Sequence, residues 1–488
     1  MKRHVHRFLV LTAAWLGLLM GAGCRESLPQ GTLVVTEVPP QAGSQTSTNE
    51  WDRRYPTGSR IVLLIPPFRA GPVRVLSEGL AAAGGPIVSP DSQKVFFAGR
   101  STVTSDWQIY EGFPGGGRPQ AKTAMPGGAI SPALLPDGGL VFVSPTVGFN
   151  GTNSAKQASA LYVQPPVGAP QRLTFGSRNV ADPEMMADGR ILFVALPPPA
   201  AGTAVSGSTL FTINNDGTEV SAFARPEPIG SIIQRPRLLA EGRIAFVVTE
   251  AGAASPEGAA KSIRLAQPFH AGSPLFPDAR ARIRSVASTA NGNLLLCARV
   301  PANPRSPLAL FRVPPGQTTP GAPLLADPAW DIAEAVELAP HRRPMGRLSS
   351  VDATKRTGQI LCLDANYLAK CTEADKPLPT TVRVRILAET APGISRALGV
   401  VAVQADGSFL AEVPAEVPLG FEALDEQDRV VGRQSPMLWL RPGENRSCIG
   451  CHEPPNRSPH NQRPLAVNVP VPRFDLPVGG VATGKAEQ

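Results

Sequence analysis

The sequence has 488 residues, with 53 Pro, 47 Gly and a formal net charge of +8. So many turn-forming residues, with few long helical patterns, exclude a coiled coil or a helical bundle and favour short strands joined by turns. The basic residues are scattered along the chain and form no stripe, which argues against a nucleic-acid partner. Beyond the N-terminus no apolar run approaches the ~18 residues of a membrane helix, so the remainder is expected to be soluble.

The N-terminus has the features of a secretory signal. MKRHVHRFLVLTAAWLGLLMGAGC places a basic head before an apolar run from Phe8 to Met20. As a helix this run is about 20 Å long, too short for a bilayer core of ~30 Å. The final GAGC resembles a bacterial lipoprotein cleavage box, although its first Gly replaces the usual Leu and ordinary cleavage nearby is the alternative. We predict a lipoprotein signal peptide over 1–24, with Cys24 lipidated in the bacterial cell envelope and the protein facing the periplasm.

After a polar segment, interpreted as a flexible linker over 25–56, one pattern recurs five times. Each copy has a segment containing Ser or Pro, a turn similar to Asp-Gly, and four or five apolar residues. The copies are IVSPDSQKVFFA from Ile87, ISPALLPDGGLVFV from Ile130, ADPEMMADGRILFV from Ala181, RPRLLAEGRIAFVV from Arg235 and SVASTANGNLLLCA from Ser285. Their turns are 46 to 53 residues apart, and this period with four short strands per repeat is typical of propeller blades. The Asp-Gly turns are interpreted as structural, because they supply the positive φ of tight hairpins.

The two ends of the ring are predicted to share one blade. RIVLLIPPFRAGPVRVLSEG, from Arg60, is interpreted as the third and fourth strands of that blade, and GRLSSVDATKRTGQILCLDA, from Gly346, as its first and second. Joined, they complete a sixth blade and remove the free edges of the ring. We therefore predict an all-β fold whose six-bladed β-propeller covers 57–368. The repeated segment resembles that of TolB-type propellers.

A second β pattern begins at Thr381 and leads towards the C-terminus. Its residues alternate between apolar and polar, which is typical of half-buried strands. Asp406-Gly407 is interpreted as a hairpin turn, and Phe421 and Leu424 are expected to point inward. We predict a small antiparallel β-sandwich over 377–446.

The most specific motif follows directly, in ENRSCIGCHEPPNRSP from Glu444. Cys448-x-x-Cys451-His452 has the C-x-x-C-H spacing of c-type haem attachment, in which the two thiols bind one porphyrin edge and the imidazole binds the iron. A zinc knuckle would need a second ligand pair at similar spacing, and a redox dithiol would open a helix after a strand, whereas prolines surround this motif. We predict one haem c in a segment over 447–460, with His452 as axial ligand, followed by a Pro-rich tail over 461–488.

Other candidate residues are less specific. Met437 and His460 are candidates for the sixth iron ligand, although a Met in SPMLWL is more typical of a core and a His in a Pro-rich tail is more often solvated. Cys362 and Cys371 are a candidate disulfide in an oxidising compartment, the alternative being one buried and one exposed thiol. Cys297 is expected to be buried in a strand. His270 and His341 are interpreted as surface residues, and no catalytic residue is predicted.

Three segments together resemble the hydrazine synthase alpha-subunit-like family: TGQILCLD from Thr357, ADGSFLAEVPAEVPLGFEALDEQDRVV from Ala405 and LRPGENRSCIGCHEPP from Leu440. The resemblance implies a six-bladed propeller, a small β domain ending in C-x-x-C-H, and a periplasmic haem protein of nitrogen or general redox metabolism. This sequence departs from the family, because it has a single C-x-x-C-H, only 36 residues after His452 where a further cytochrome domain is expected, and no Tyr beyond Tyr367 to act as the family's iron ligand. These departures, with the lipoprotein signal, favour a relative with the scaffold but without hydrazine synthesis.

Three functions remain open from the sequence. The first is a membrane-anchored monohaem cytochrome c that transfers electrons between periplasmic partners. The second is a haem-dependent oxidoreductase acting on a small nitrogen or oxygen compound at an open iron site. The third is a propeller that binds or assembles a periplasmic protein and carries the haem as an auxiliary group. A propeller does not choose among them, because this fold has many unrelated functions.

Overall fold

The computed structural model of the chain describes residues 28–40, 50–68, 73–145, 159–176, 178–196, 207–251, 253, 255–277, 280–300, 303, 306–367, 379–391, 394–450 and 462–476. Its regular structure is almost entirely β, as the composition predicts. The short helices are α1 (Glu50–Arg54) and a 3₁₀ turn (Leu465–Asn468). The strands are β1 (Leu33–Val38), β2 (Arg60–Leu64), β3 (Val73–Val75), β4 (Ala82–Val88), β5 (Val95–Arg100), β6 (Gln108–Gly112), β7 (Gln120–Ala121), β8 (Ile130–Leu134), β9 (Leu140–Pro145), β10 (Ser159–Gln164), β11 (Gln171–Arg172), β12 (Val180–Met185), β13 (Arg190–Ala195), β14 (Thr209–Asn214), β15 (Ser221–Ala222), β16 (Ser231–Leu239), β17 (Arg243–Glu250), β18 (Ala259–Arg264), β19 (Ser273–Pro274), β20 (Arg282–Ser288), β21 (Leu294–Arg299), β22 (Ala309–Val313), β23 (Asp331–Glu337), β24 (Thr357–Cys362), β25 (Arg383–Ala391), β26 (Ile394–Ala402), β27 (Phe409–Pro414), β28 (Leu419–Leu424), β29 (Val430–Leu438) and β30 (Asn445–Cys448).

Six sheets form the predicted propeller. Their strand orders, from the central channel outward, are β23-β1-β2-β3, β4-β5-β6-β7, β8-β9-β10-β11, β12-β13-β14-β15, β16-β17-β18-β19 and β20-β21-β22. The first strand of each sheet contacts the first strands of its two neighbours, so the ring is closed. The fold class predicted from the sequence is therefore confirmed.

Each repeat follows from two local properties of the sequence. The second strands, such as β5 and β13, are buried almost throughout, because neighbouring blades cover both of their faces, which explains their unbroken apolar runs. The turns before them have positive φ at Gly138, Gly189 and Gly242. Ser92 takes the same conformation, with a φ of 56°, in the copy that has Asp-Ser in place of Asp-Gly.

The closing blade is composite, as predicted, but two of its strands differ from the prediction. β2 and β3 are its third and fourth strands, whereas its first two are β23 and β1. β24, which the sequence placed in this blade, pairs with β27 and β30 instead. The burial patterns explain the difference: all six residues of β1 are buried, as an inner blade strand requires, while β24 alternates between buried and half-buried residues.

The segment interpreted as a linker over 25–56 also differs from that prediction. It contributes β1 to the ring and then α1, which lies at the central channel. Tyr55, directly after α1, is buried against Gly84, where an added Cβ would lie 2.2 Å from the ring of Tyr55. Only glycine allows that approach. The segment from Glu50 to Tyr55 is therefore packed in the ring, and we call it the plug of the propeller.

The C-terminal domain is a sandwich of two sheets, β26-β25-β28-β29 and β27-β24-β30. Phe421 and Leu424 are buried, as predicted. The domain is not wholly antiparallel, because β24 and β30 are parallel, and it begins before the predicted residue 377. The turn at Asp406-Gly407 is present, but it joins strands of different sheets.

One hydrophobic cluster extends from the ring into the sandwich. Phe142 and Phe193 of the ring belong to the same cluster as Trp439 and Leu440. The rings of Phe175 and Trp439 pack edge to face at 6.0 Å, a favourable aromatic geometry. Across the part of the chain covered by the structure, no helix is both long and apolar enough to cross a membrane.

Candidate functional site

The first half of the C-x-x-C-H motif is the end of an edge strand. β30 pairs in parallel with β24, and Cys448 lies opposite Cys362. Beyond the strand, the N–H of Leu363 donates to the carbonyl of Cys448 at 2.9 Å, and the N–H of Asp364 donates to that of Ile449 at 3.1 Å. The backbone is therefore fixed up to the residue before Gly450.

Gly450 occupies a position where a side chain has no room. An added Cβ would lie 2.7 Å from the carbonyl oxygen of Asp364 and 2.7 Å from Cβ of Tyr367. Both neighbours are buried. Asp364 and Tyr367 were not predicted as site residues, although they belong to LDANY, which directly follows β24, the strand that pairs with β30. The Gly of the motif is therefore a packing requirement of this domain.

A buried carboxylate connects the segment to the propeller. Glu444, just before β30, accepts a hydrogen bond from the N–H of Arg441 at 2.7 Å and another from the N–H of Glu219 at 3.0 Å. Burial raises the pKa of Glu444 from its ordinary value. Arg446 also donates to the carbonyl of Val220, so two side chains next to the motif bind the fourth blade.

A second connection lies at Arg441. Its guanidinium pairs with Glu416 at 2.6 Å and donates to the carbonyl of Arg172 at 3.3 Å. It also packs against Gly217 in the turn between β14 and β15. In the sequence, the residues that make these contacts belong to the charged run RPGENR before the motif. This run has no periodicity, so it does not indicate which residues of the propeller it contacts.

The remaining predicted site residues stay untested. Cys24, Cys371, Cys451, His452 and His460 lie outside the described residues, so lipidation, haem attachment and the disulfide stay predictions. Met437 lies in β29, but its side chain is likewise outside the described part.

Two other sequence predictions, on Cys297 and on the histidines, are confirmed. Cys297 is fully buried in β21, and burial raises the pKa of its thiol to about 12. His270 and His341 are exposed. Within the described ranges, no group of three or more His, Cys, Asp or Glu side chains is arranged to hold a metal ion.

The tail returns to the sandwich. The N–H of Glu412 in β27 donates to the carbonyl of Pro472 at 2.9 Å, and the N–H of Phe474 donates back to Glu412 at 2.9 Å. The ring of Phe474 covers Gly399, where an added Cβ would lie 2.2 Å from it. Residues 462–476 thus pack on the domain that holds Cys448.

Comparisons with known proteins agree with this architecture. Residues 359–453 match the profile of the hydrazine synthase alpha subunit middle domain, a range that begins in β24 and includes the whole C-x-x-C-H motif. No curated protein matches the sequence. By structure the chain is similar to Kuenenia stuttgartiensis hydrazine synthase, with a TM-score of 0.73 and 17% identity over 90% of this chain and 71% of that chain. TolB from Acinetobacter baumannii aligns with a TM-score of 0.37 and 14% identity over 56% of this chain and 62% of that chain.

Proposed function

Since residues 359–453 carry a hydrazine synthase alpha subunit middle domain and the chain shares the hydrazine synthase fold, we propose that it is a membrane-anchored monohaem c-type cytochrome-like protein that transfers electrons in the periplasm. One observation carries this proposal. Cys448 is held at the end of β30 by its pairing with β24, inside a domain whose family match extends through the haem-attachment motif.

The donor set fits a haem c. Cys448 and Cys451 would form the two thioether bonds, and His452 would be the axial ligand. Cys448 is only partly buried at a strand end, so its thiol can reach a porphyrin outside the sandwich. The bound group would supply a one-electron redox centre. The protein's part is to fix the motif through Gly450 and through the strand pairing of Cys448, with Met437 and His460 as the candidates for the sixth ligand.

The location of the protein follows from its N-terminus. A lipid on Cys24 would hold it at the membrane, facing the periplasm, where bacterial c-type haem is attached. Its partner would then be a periplasmic redox or assembly protein rather than a nucleic acid, because its basic residues form no continuous stripe.

An absorption spectrum tests the proposal directly. A Cys24→Ser form would be secreted together with the c-haem maturation machinery and measured oxidised, reduced with dithionite, and reduced with carbon monoxide. We expect one haem per chain and sharp low-spin reduced bands that carbon monoxide does not shift, because a six-coordinate iron has no free position. Replacing Cys448 and Cys451 together by Ser should abolish the covalent haem.

Two other outcomes would overturn electron transfer. A high-spin spectrum that shifts with carbon monoxide would favour an enzyme acting on a small nitrogen or oxygen compound. A folded protein without haem absorbance would favour a binding scaffold. His452→Ala should change the spin state, while His341→Ala, at an exposed histidine shortly after β23, should leave the spectrum unchanged.

A further inference from the structure

The innermost strands of the propeller carry irregularities at corresponding positions. In four blades the residue before a proline has positive φ, namely Gly85 at 69°, Ser131 at 49°, Asp182 at 47° and Arg235 at 49°. The pairing register shifts at each of them. Because proline cannot donate to the ladder, the chain bulges there and turns the preceding residue towards the channel. Arg284 of β20 and Glu334 of β23 lie at the matching irregularities of the other two blades.

These positions form one buried polar cluster with the plug. Arg54 pairs with Asp182 at 2.6 Å, and Arg235 pairs with Glu334 at 2.7 Å. The hydroxyl of Tyr55 donates to Glu334 at 2.6 Å. Burial raises the pKa of Tyr55, so this residue stays neutral.

The pairing leaves Arg284 without a carboxylate of its own among the described residues. Asp182 pairs with Arg54 and Glu334 with Arg235, and no described carboxylate lies within salt-bridge distance of Arg284. Arg284 is 4% exposed and donates from Nη2 to the carbonyl of Arg54 at 2.8 Å. Its Nε and the Nη2 of Arg235 are buried without a hydrogen-bond partner among the described residues. A buried guanidinium in this situation is costly, and a negative charge beside it would be stabilising.

The surroundings of Arg284 disfavour its charged form. Burial, followed by the charge of Arg235, lowers the pKa of Arg284 to about 9. Arg284 therefore remains a cation at neutral pH and keeps its electrostatic requirement for an anion.

Arg284 also borders a cavity. The cavity has a volume of about 670 Å³, and its lining includes Arg282, Arg299, Leu308 and the carboxylates of Glu257, Asp327 and Asp331. Asp327 accepts a hydrogen bond from the N–H of Ala329 at 2.8 Å. Arg299 binds Glu257 at 3.0 Å and Asp331 at 2.7 Å, so these two carboxylates are already engaged. Cavities of this size are typical of sites for small molecules.

We propose that this cavity binds a small ligand with a carboxylate or phosphate group, whose oxygens pair with the guanidinium of Arg284. The planar fork of an arginine matches both groups in geometry and charge. The site is independent of the haem, because the cavity lies in the propeller, lined by residues of β20, β21 and β23.

Calorimetric titration of the full-length Cys24→Ser protein tests the site. The probes are sodium acetate and inorganic phosphate, each at constant ionic strength with chloride as the reference. We expect one of them to bind, with a loss of affinity of about tenfold or more in Arg284→Met, because a charge-assisted pair is removed. Binding of acetate alone would identify a carboxylate ligand, and binding of phosphate alone a phosphate ligand.

Arg282→Met is the matched control, since Arg282 lines the same cavity but is 37% exposed and lies 3.8 Å from Glu257. It should retain most of the affinity. If Arg284→Met does not fold, Arg284→Lys keeps the charge without the fork and should still weaken binding. No heat with either probe, or equal affinity in wild type and the folded Arg284 variant, would overturn the proposal.

Discussion

At the scale of single residues, the C-x-x-C-H motif depends on contacts that its spacing does not reveal. Gly450 lies against Asp364 and Tyr367, and the chain at Cys448 is fixed by hydrogen bonds to the same short segment. Gly450, one of the two residues between the cysteines, therefore has a packing role as well as a spacing role. LDANY and CIGCH begin 85 residues apart in the chain, and both lie within the range that matches one family domain.

Gly450→Ala should destabilise the C-terminal domain by about 1–3 kcal/mol, since the methyl group overpacks a buried site. It should also lower the yield of covalent haem, because Cys448 would be displaced from the position that its pairing with β24 fixes. Thermal unfolding and haem content per chain measure the two effects. Gly115→Ala is the control, because nothing lies within 4 Å of an added Cβ there; equal stability of the two variants would contradict the packing argument.

At the scale of elements, β1 closes the propeller. It lies between β23 and β2, so the N-terminal and C-terminal strands of the ring share one sheet. Its six residues are all buried, as expected for a strand covered on both faces. The ring therefore has no free edge at its junction.

Val34→Asp should open or unfold the ring, because it places an unpaired charge in the buried strand β1. Val34 is fully buried, and an uncompensated charge in such a site costs about 3–5 kcal/mol. Circular dichroism with denaturant titration would measure the loss. Val73→Asp, in the outer strand β3 where Val73 is 51% exposed, should change stability little. Similar behaviour of the two variants would mean that β1 is not a closing strand in solution.

At the scale of the whole molecule, the centre of the ring depends on ionised carboxylates. Burial alone would raise the pKa of Asp182, but the charge of Arg54 holds it below its ordinary value. Burial likewise opposes ionisation of Glu334, but Arg235 and the hydroxyl of Tyr55 hold its pKa at about 2. Carboxylates whose pKa is lowered by folding stabilise the fold fully at pH values above their unfolded pKa of about 4. This stabilisation is lost as the pH falls from about 4 through the folded pKa.

The melting temperature should therefore fall as the pH decreases from about 5 towards 2. Replacing Arg54 by Met and Asp182 by Asn together removes one pair without leaving a lone charge, so this variant should lose less stability over the same range. Differential scanning calorimetry at several pH values measures the slopes. The exposed pair of Arg473 and Asp475, replaced in the same way, should leave the wild-type slope unchanged; an unchanged slope in the buried variant would contradict the central role of the pair.

Local patterns were sufficient for most of the architecture. The repeated turns predicted the blades, because positive φ at Gly138 or Gly189 is a requirement of the tight turn itself. They failed at β1 and β24, since a single short strand has no repeat to identify its partners. The alternation of buried and half-buried residues along β24 is visible only in the structure, because Ile360, Leu361 and Cys362 form an unbroken apolar run in the sequence.

The sequence by itself determined the all-β class, the number of blades and the C-x-x-C-H motif, because turn chemistry, period and ligand spacing are properties of neighbouring residues. Only the tertiary structure decided which strands close the ring, how Glu444 joins the motif to the fourth blade, and where Arg284 is left beside a cavity without a carboxylate of its own. These features arise from residues far apart in the chain, and their energies depend on burial and on the charges that the fold brings together.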